Sequence, residues 1–488
     1  MWGNAVFVSD LWVGVMSKNR EVAVQKNGIT EGVIWQQILI FFFPILFGTF
    51  FQQLYNTADA IIVGRFVGKE ALSAVGGTTG TLINLLVGFF VGMSSGSSVV
   101  VSQYYGARNS EMVKKSVHTA FCLAIGGGIC LMIIGELFAP AAIRAMGAPE
   151  EIMDYSVTYM RIYFLGVIGN LLYNMGAAIL RAVGDSQKPF YFLVASAITN
   201  VVLDLVFVLA FDMGVAGVAW ATIIAQGVSA TLVIITLLRT DTCVKVSLSR
   251  LRVHGSVLAK IVKLGIPAAI QMAVTSFSNI FVQSYINYFG ESVIGGWTSY
   301  SKIDQLVLLP MQSISLASTT FVGQNLGIGN EKRARRGVTT ALLMAFASTI
   351  ILMIPVMIFA PSLAEFFNAG SMAYGTLFLR YLSPFYVLCC MNQIYAGALR
   401  GSGNTTVPMI VMLSSFVFFR QIYLFVMANY ISNTVLPIAM SYPAGWLVCS
   451  TVMFIYFKRA KLIRTRIVDD APMVTEENEE KKEETIGG

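Results

Sequence analysis

Along most of this chain, polar positions are rare interruptions in apolar runs of helical length. Twelve such runs are predicted, at 36–64, 71–103, 116–138, 155–180, 189–211, 215–238, 258–289, 293–325, 338–360, 376–399, 407–431 and 436–458. Each is long enough to cross about 30 Å of hydrocarbon. The Gly, Ser and Ala scattered through them suit close helix packing in lipid, not the alternation of barrel strands. The predicted class is therefore an all-α polytopic membrane protein. The first run carries a polar stripe: Gln52, Tyr55, Asn56 and Asp59 fall at i, i+3, i+4 and i+7 and share one helix face. A carboxylate at membrane depth costs roughly 2.5–3.5 kcal/mol even on lenient scales, so Asp59 is expected to face a cavity and to have a task.

The runs repeat. Phe138-Ala139-Pro140 recurs as Phe359-Ala360-Pro361, and Leu180-Arg181-x-x-Gly184-x-x-x-x-Pro189 as Leu399-Arg400-x-x-Gly403-x-x-x-x-Pro408. Arg161 matches Arg380, Pro44 matches Pro267, and Gly106 with Asn109 matches Gly327 with Asn330, all at an offset of about 220 residues. Six spans per unit make the repeats parallel, related by a pseudo-twofold axis along the membrane normal, around a central cavity. The expected organisation is an N-terminal cytoplasmic segment (1–35), an N-lobe (36–238), a cytoplasmic linker (239–257), a C-lobe (258–458) and a disordered cytoplasmic tail (459–488).

Composition agrees: of 488 residues 56% are hydrophobic and 12% charged, too little polar surface for a soluble globule of this size. The net charge of +7 does not point to nucleic acid, because the basic residues cluster in short loops between spans. Loops after even-numbered spans carry Arg108, Lys114, Lys115, Arg181, Lys188, Arg239 and Lys332 to Arg336, whereas the odd loops carry Glu70, Glu136, Glu150, Glu151, Asp212 and Glu291. Even loops and both termini are thus expected in the cytoplasm, and the protein in a bacterial-type plasma membrane. No cleavable signal is recognisable, and Met16 followed by Ser-Lys-Asn-Arg reads as a more natural start than Met1. The six cysteines and two histidines show no metal-type spacing. No Walker motif is present, so ATP is not expected as the direct energy source.

The candidate chemistry gathers in the N-lobe. Asp204 in the fifth span has Asn200 one turn before it, on the same face. Together with Asp59 and the Tyr55 hydroxyl they offer either a proton site or an oxygen cage for a small cation. Two carboxylates packed in a poorly solvated lobe do not readily both ionise. The bland alternative for Asp59 is an ion pair with a nearby arginine, Arg65 lying two turns on, or the capping of a broken helix. The C-lobe breaks the symmetry: its seventh span offers Ser276, Asn279 and Gln283 but no acid, and Asp304 in the eighth reads equally well as neutralised by Lys302 or an arginine. Arg161, Arg380 and Arg420 read as snorkelling or interlobe anchors. Pro44 removes a backbone hydrogen bond in the helix carrying Asp59 and is a candidate hinge. Gln52, Asn56, Met175, Asn279 and Gln283 are candidates to line a substrate cavity, the methionine for its adaptability.

The order Pro44, Leu54-Tyr55-Asn56-x-x-Asp59, Leu180-Arg181-x-x-Gly184-Asp185, Asn200-x-x-x-Asp204 and Gly214-Val215-x-Gly217-x-Ala219-x-Ala221-Thr222 resembles the multidrug and toxic compound extrusion (MATE) transporters. Val322-Gly323-Gln324-Asn325-Leu326-Gly327 is similar to that family's second-lobe signature. The resemblance implies a twelve-helix, two-lobe antiporter, expected as a monomer, that exports organic and often cationic amphipathic compounds in exchange for H⁺ or Na⁺, with no other cofactor. For the subgroup named for DNA-damage-inducible members it implies an N-lobe coupling site of Tyr55, Asp59, Tyr159, Asn174, Asn200, Asp204 and Thr222. Na⁺, if used, is expected at Asp59, Asn200, Asp204 and Thr222, and Pro44 is expected to bend the first helix on protonation. Coupling through the C-lobe is not expected, since Thr275 stands where another subgroup has Glu and the tenth span has no acid. The alternatives are a lipid-linked sugar or cell-wall precursor flippase of the same superfamily, and a passive channel or receptor.

Overall fold

A computed structural model describes residues 29–146 and 149–468. In chain order the helices are α1 (Ile34–Ile62), α2 (Lys69–Gly76), α3 (Thr78–Gly106), α4 (Ser110–Ala145), α5 (Glu150–Ala182), α6 (Gln187–Leu205), α7 (Gly214–Arg239), α8 (Gly255–Asn287) and α9 (Glu291–Gly327). They continue as α10 (Glu331–Ile358), α11 (Ala360–Phe367), α12 (Met372–Leu382), α13 (Tyr386–Ser402), α14 (Thr406–Leu413), α15 (Arg420–Val426), α16 (Val435–Ala439) and α17 (Ser441–Arg459). No strand occurs among the described residues. Among the described residues eleven spans are long and apolar enough to cross a membrane, Thr406–Ile431 and Val435–Arg459 each counting as one. The predicted tenth span is the difference: Pro384, in the tight turn Ser383–Phe385, divides it into α12 and α13. Proline lacks the N–H that would carry the helix through, and the pieces run on as two shorter rods.

The repeated landmarks have physical roles. Asn109 and Asn330 cap α4 and α10, their Oδ1 atoms accepting from the Met112 and Arg333 amides at 3.0 and 2.8 Å. Gly106 and Gly327 end α3 and α9 where those helices cross. A Cβ on Gly106 would lie 2.1 Å from the Gln324 carbonyl oxygen, and one on Gly327 2.2 Å from that of Gln103. Around this crossing the lobes exchange bonds in a twofold manner. Gln103 Nε2 donates to the Gly401 carbonyl at 2.8 Å, and Gln324 Nε2 to the Ala182 carbonyl at 2.8 Å. Each glutamine thus satisfies a carbonyl in the last turn of a helix of the other lobe.

The lobes also exchange helix ends. Ile38, Phe41 and Phe42 of α1 belong to the apolar core of the C-lobe. Beyond Pro44 the same helix joins the N-lobe, where Gly48 faces Leu193 and the Phe51 ring lies 6.2 Å from that of Phe190 in α6. The mirror image holds for α8: Val257, Ile261 and Leu264 pack in the N-lobe core, Pro267 follows, and Val282 and Ile286 pack in the C-lobe core. Both prolines therefore stand where a helix passes from one lobe to the other.

The segment expected as a disordered tail is docked over its first part. Leu462 and Val468 are buried, the Ile467 amide donates to Gln103 Oε1 at 2.7 Å, and Lys260 Nζ donates to the Ile467 carbonyl at 3.0 Å. Glu331 anchors the strap's start by accepting from the Leu462 and Ile463 amides at 3.1 and 3.2 Å. The strap thus joins both lobes on the side that carries the basic loops. The reading of the first fifteen residues as an upstream extension, and the rest of the tail, lie outside the described residues.

Removing a buried side-chain hydrogen bond costs about 1 kcal/mol, enough to shift a two-state equilibrium about fivefold. Gln103→Ala and Gln324→Ala are each expected to raise the alkylation rate of Ser402→Cys, in a background free of other cysteines, by a membrane-impermeant maleimide. An unchanged rate in the double variant would show that these bonds do not hold the lobes together.

Candidate functional site

Asp59 lies three residues before the end of α1 and Asp204 one residue before the end of α6. Both helices begin on the basic-loop side, so both acids sit toward the opposite side of the N-lobe. Both also stand just ahead of a π-helical turn, Val63–Val67 after Asp59 and Val206–Ala210 after Asp204. In each turn the backbone bond spans five residues, from the Gly68 amide to Val63 at 3.0 Å and from the Phe211 amide to Val206 at 3.2 Å. Such inserted turns are frequent at functional sites because they re-aim the side chains beside them.

The two carboxyls meet. Asp59 is 7% exposed and Asp204 is fully buried, and their carboxyl groups lie within hydrogen-bonding reach of each other. As two carboxylates they would have no hydrogen bond between them, since both only accept. Asp59 Oδ1 and both Asp204 oxygens have no donor among the described residues. A hydrogen bond between them would need one proton on the pair, and a small cation between them would serve the same purpose. Arg65 does not supply that charge: it is exposed and lies over the Phe66 ring at 5.9 Å. No salt bridge of Asp59 occurs among the described residues, so the ion-pair alternative is set aside.

The lining completes an oxygen-rich site. Asn200 is fully buried one turn before Asp204, and neither its Oδ1 nor its Nδ2 has a partner among the described residues. The Thr222 hydroxyl on α7 donates to the Val218 carbonyl at 2.9 Å, which leaves its lone pairs for another donor or a cation. Tyr159 on α5 reaches that hydroxyl and lies near both acids. Tyr55 lies near Asp59 and within hydrogen-bonding reach of Gln52, one turn earlier. The oxygens of Asp59, Asp204, Asn200 and Thr222 are the hard donors a small monovalent cation takes.

Other sequence candidates fall elsewhere. Asn174 sits fifteen residues beyond Tyr159 on the same helix, about 22 Å along it, and donates to Asn170 Oδ1 at 2.7 Å. The structure does not bring it to the acid pair. Met175 is buried in the N-lobe apolar core rather than lining an open surface. Gln52 is half-buried, and Asn56 is exposed with Nδ2 donating to Gln53 Oε1 at 3.4 Å. In the C-lobe, Asn279 is exposed, and Gln283 is half-buried and donates to Asn287 Oδ1 at 2.7 Å. The side chains of Thr275 and Ser276 lie outside the described residues. Pro44 lies fifteen residues before Asp59 in a helix that continues through it.

Two features escaped the sequence. A second polar layer stands one turn from the first: Gln226 Nε2 donates to the Tyr163 hydroxyl at 3.4 Å, and Gln226 Oε1 has no partner among the described residues. The i, i+4 spacing of Tyr159 with Tyr163 and of Thr222 with Gln226 was the available signal. In the C-lobe, Asp304 is not neutralised by Lys302, which is exposed. Its Oδ1 accepts instead from the Tyr386 hydroxyl at 2.7 Å and the Tyr300 hydroxyl at 3.3 Å.

These lobes match known proteins over most of their length. The MatE family model matches residues 44–206 and 267–426. The chain belongs to this family, the MATE transporters, whose members are membrane transporters and not enzymes. It is 27% identical over 440 residues to a probable multidrug resistance protein, YoeA, of Bacillus subtilis, covering 87% of this chain and 94% of the relative. It is 24% identical over 373 residues to the FAD transporter of Shewanella oneidensis, covering 74% and 79%. A solved transporter of the MOP superfamily from Pyrococcus furiosus has the same fold, with a TM-score of 0.84 at 24% identity, covering 89% of this chain and 97% of that one.

A carboxyl pair bridged by one proton has a spectroscopic signature. Infrared spectra of the purified protein in sodium-free buffer at neutral pH are expected to show a protonated-carboxyl C=O band that Asp59→Asn and Asp204→Asn each remove. A band that survives in both variants would place the proton elsewhere.

Proposed function

We propose that this protein is a secondary multidrug antiporter of the plasma membrane, with the basic-loop side and both termini in the cytoplasm. In this reading it exports organic, often cationic, amphipathic compounds in exchange for H⁺ or Na⁺. The observation that carries the reading is the Asp59–Asp204 contact, a buried acid pair with no cationic side chain among the described residues to balance it. Such a pair must take a monovalent cation from solution or one proton, and releasing that ion leaves two charges in contact in an apolar bundle. A state that reopens the site to the opposite solution is then favoured, which is the requirement for coupled exchange.

The link from ion to lobe movement runs through α1. Its beginning is held in the C-lobe core and its end carries Asp59, with Pro44 between them. Proline deletes one backbone hydrogen bond and makes this the soft point of the rod. The names of the relatives support drug export, and the one described as an FAD transporter widens the range of guests to weigh. The flippase alternative is not favoured by these names, and the passive channel or receptor leaves the buried acid pair without a task.

Everted vesicles with pH and Na⁺ gradients imposed separately test the proposal. Ethidium transport is expected to follow at least one gradient, and Asp59→Asn and Asp204→Asn are each expected to reduce it at least tenfold at equal expression. Full gradient-driven transport by both variants would refute coupling through the N-lobe. Pro44→Ala restores a backbone bond and is expected to slow transport while leaving the carboxyl band in place. Loss of that band would assign Pro44 to holding the site rather than to moving it.

A further inference from the structure

Arg420 lies well inside the Thr406–Ile431 span and is only 3% exposed, so it neither snorkels nor joins the lobes. No carboxylate pairs with it among the described residues, and Asp304, the intramembrane acid of this lobe, is engaged by two tyrosine hydroxyls. Its contacts are all neutral. Nη2 donates to Ser278 Oγ at 2.7 Å and to Asn279 Oδ1 at 2.9 Å, and the guanidinium stacks on the Tyr442 ring at 4.7 Å. Nε, also buried, meets no acceptor among the described residues.

A buried guanidinium with no counter-anion and an unused donor is costly to keep, and its planar fork matches a carboxylate in a two-point contact. The rim of the cluster is accessible: Asn279 is exposed and Tyr442 half-buried, with the tyrosine hydroxyl donating to Asn279 Oδ1 at 3.3 Å. Behind Tyr442 stand Trp297 and Trp446, with ring centroids 5.4 and 6.1 Å away, which hold that aromatic wall in place. The repeat sharpens the point. With Pro189 matched to Pro408, Arg420 takes the register of Val201, between Asn200 and Asp204. The helix that carries an acid in one lobe carries a base in the other.

We propose that Arg420, Asn279 and Tyr442 form a C-lobe subsite for the carboxylate of an aromatic organic anion. The acid group takes the place of Asn279 Oδ1 on the guanidinium, and the guest's ring lies against the aromatic wall. The protein then accepts anionic and zwitterionic guests as well as cations, independently of which ion the N-lobe uses.

Fluorescein and rhodamine 6G share a xanthene ring system and differ in charge. Titrated by fluorescence anisotropy against the purified full-length protein in neutral detergent, fluorescein is expected to bind. Arg420→Gln is expected to lower the ratio of fluorescein to rhodamine 6G affinity at least tenfold. Because loss of a buried arginine can unfold the lobe, Asn279→Asp is the second variant. It is exposed and isosteric, and it places a fixed carboxylate on the guanidinium, so it should give the same loss with an unchanged gel-filtration profile. No fluorescein binding by the wild type, or equal binding by the wild type and the folded Asn279→Asp variant, overturns the assignment.

Discussion

Two carboxyl groups in contact inside an apolar bundle cannot both carry a charge without a cation between them, and the rest of this structure can be read from that constraint. Asp59 and Asp204 come from helices that are far apart in sequence and adjacent in space. Among the described residues no cationic side chain balances them, since Arg65 is exposed over Phe66 and the polar side chains beside them are an amide and hydroxyls. In the proposed cycle that incompleteness suits an ion that must leave again. A lysine or arginine in the same place would satisfy the acids permanently and remove any reason for the lobe to move.

What turns occupancy into movement, in the proposed cycle, is the exchange of helix ends between lobes. The roots of α1 and α8 each pack in the opposite lobe, and each helix is weakened by a proline at the crossing. The C-terminal ends of α3 and α9 cross through Gly106 and Gly327, where even a methyl group would collide with backbone. Paired glutamines and a strap from the C-terminal segment fasten the same side. Asp59 therefore lies at the far end of a rod whose root is clamped in the other lobe, so a small change at the site has a long lever.

Much of this was legible in the chain. The spans, the internal repeat and the shared face of Asn200 and Asp204 follow from period and offset alone, because lipid tolerates polar side chains only where something requires them. The break at Pro384 was not, since Pro44, Pro140, Pro267, Pro310 and Pro355 all stand inside continuous helices. Proline in a membrane helix is ambiguous when neighbours can satisfy the freed carbonyl. The surroundings of Arg420, Asp304 and Met175 are not legible in the sequence for one shared reason. Depth and partner are properties of the assembled bundle, and the hydroxyls of Tyr300 and Tyr386 that meet Asp304 sit one turn and eighty-two residues away. The docked strap was hidden by composition, because the charged residues around Leu462 and Val468 resemble a solvated end.

In the proposed cycle one monovalent cation resides in the acid pair and is displaced when a cationic guest binds. Isothermal titration of rhodamine 6G into the purified protein, in sodium-free buffers of different ionisation enthalpy and again with sodium present, measures that displacement directly. Close to one proton released per guest is expected in the sodium-free series, or its replacement by sodium release, and neither with Asp204→Asn. Guest binding that releases no ion in any of these conditions, at wild-type affinity, would contradict that cycle.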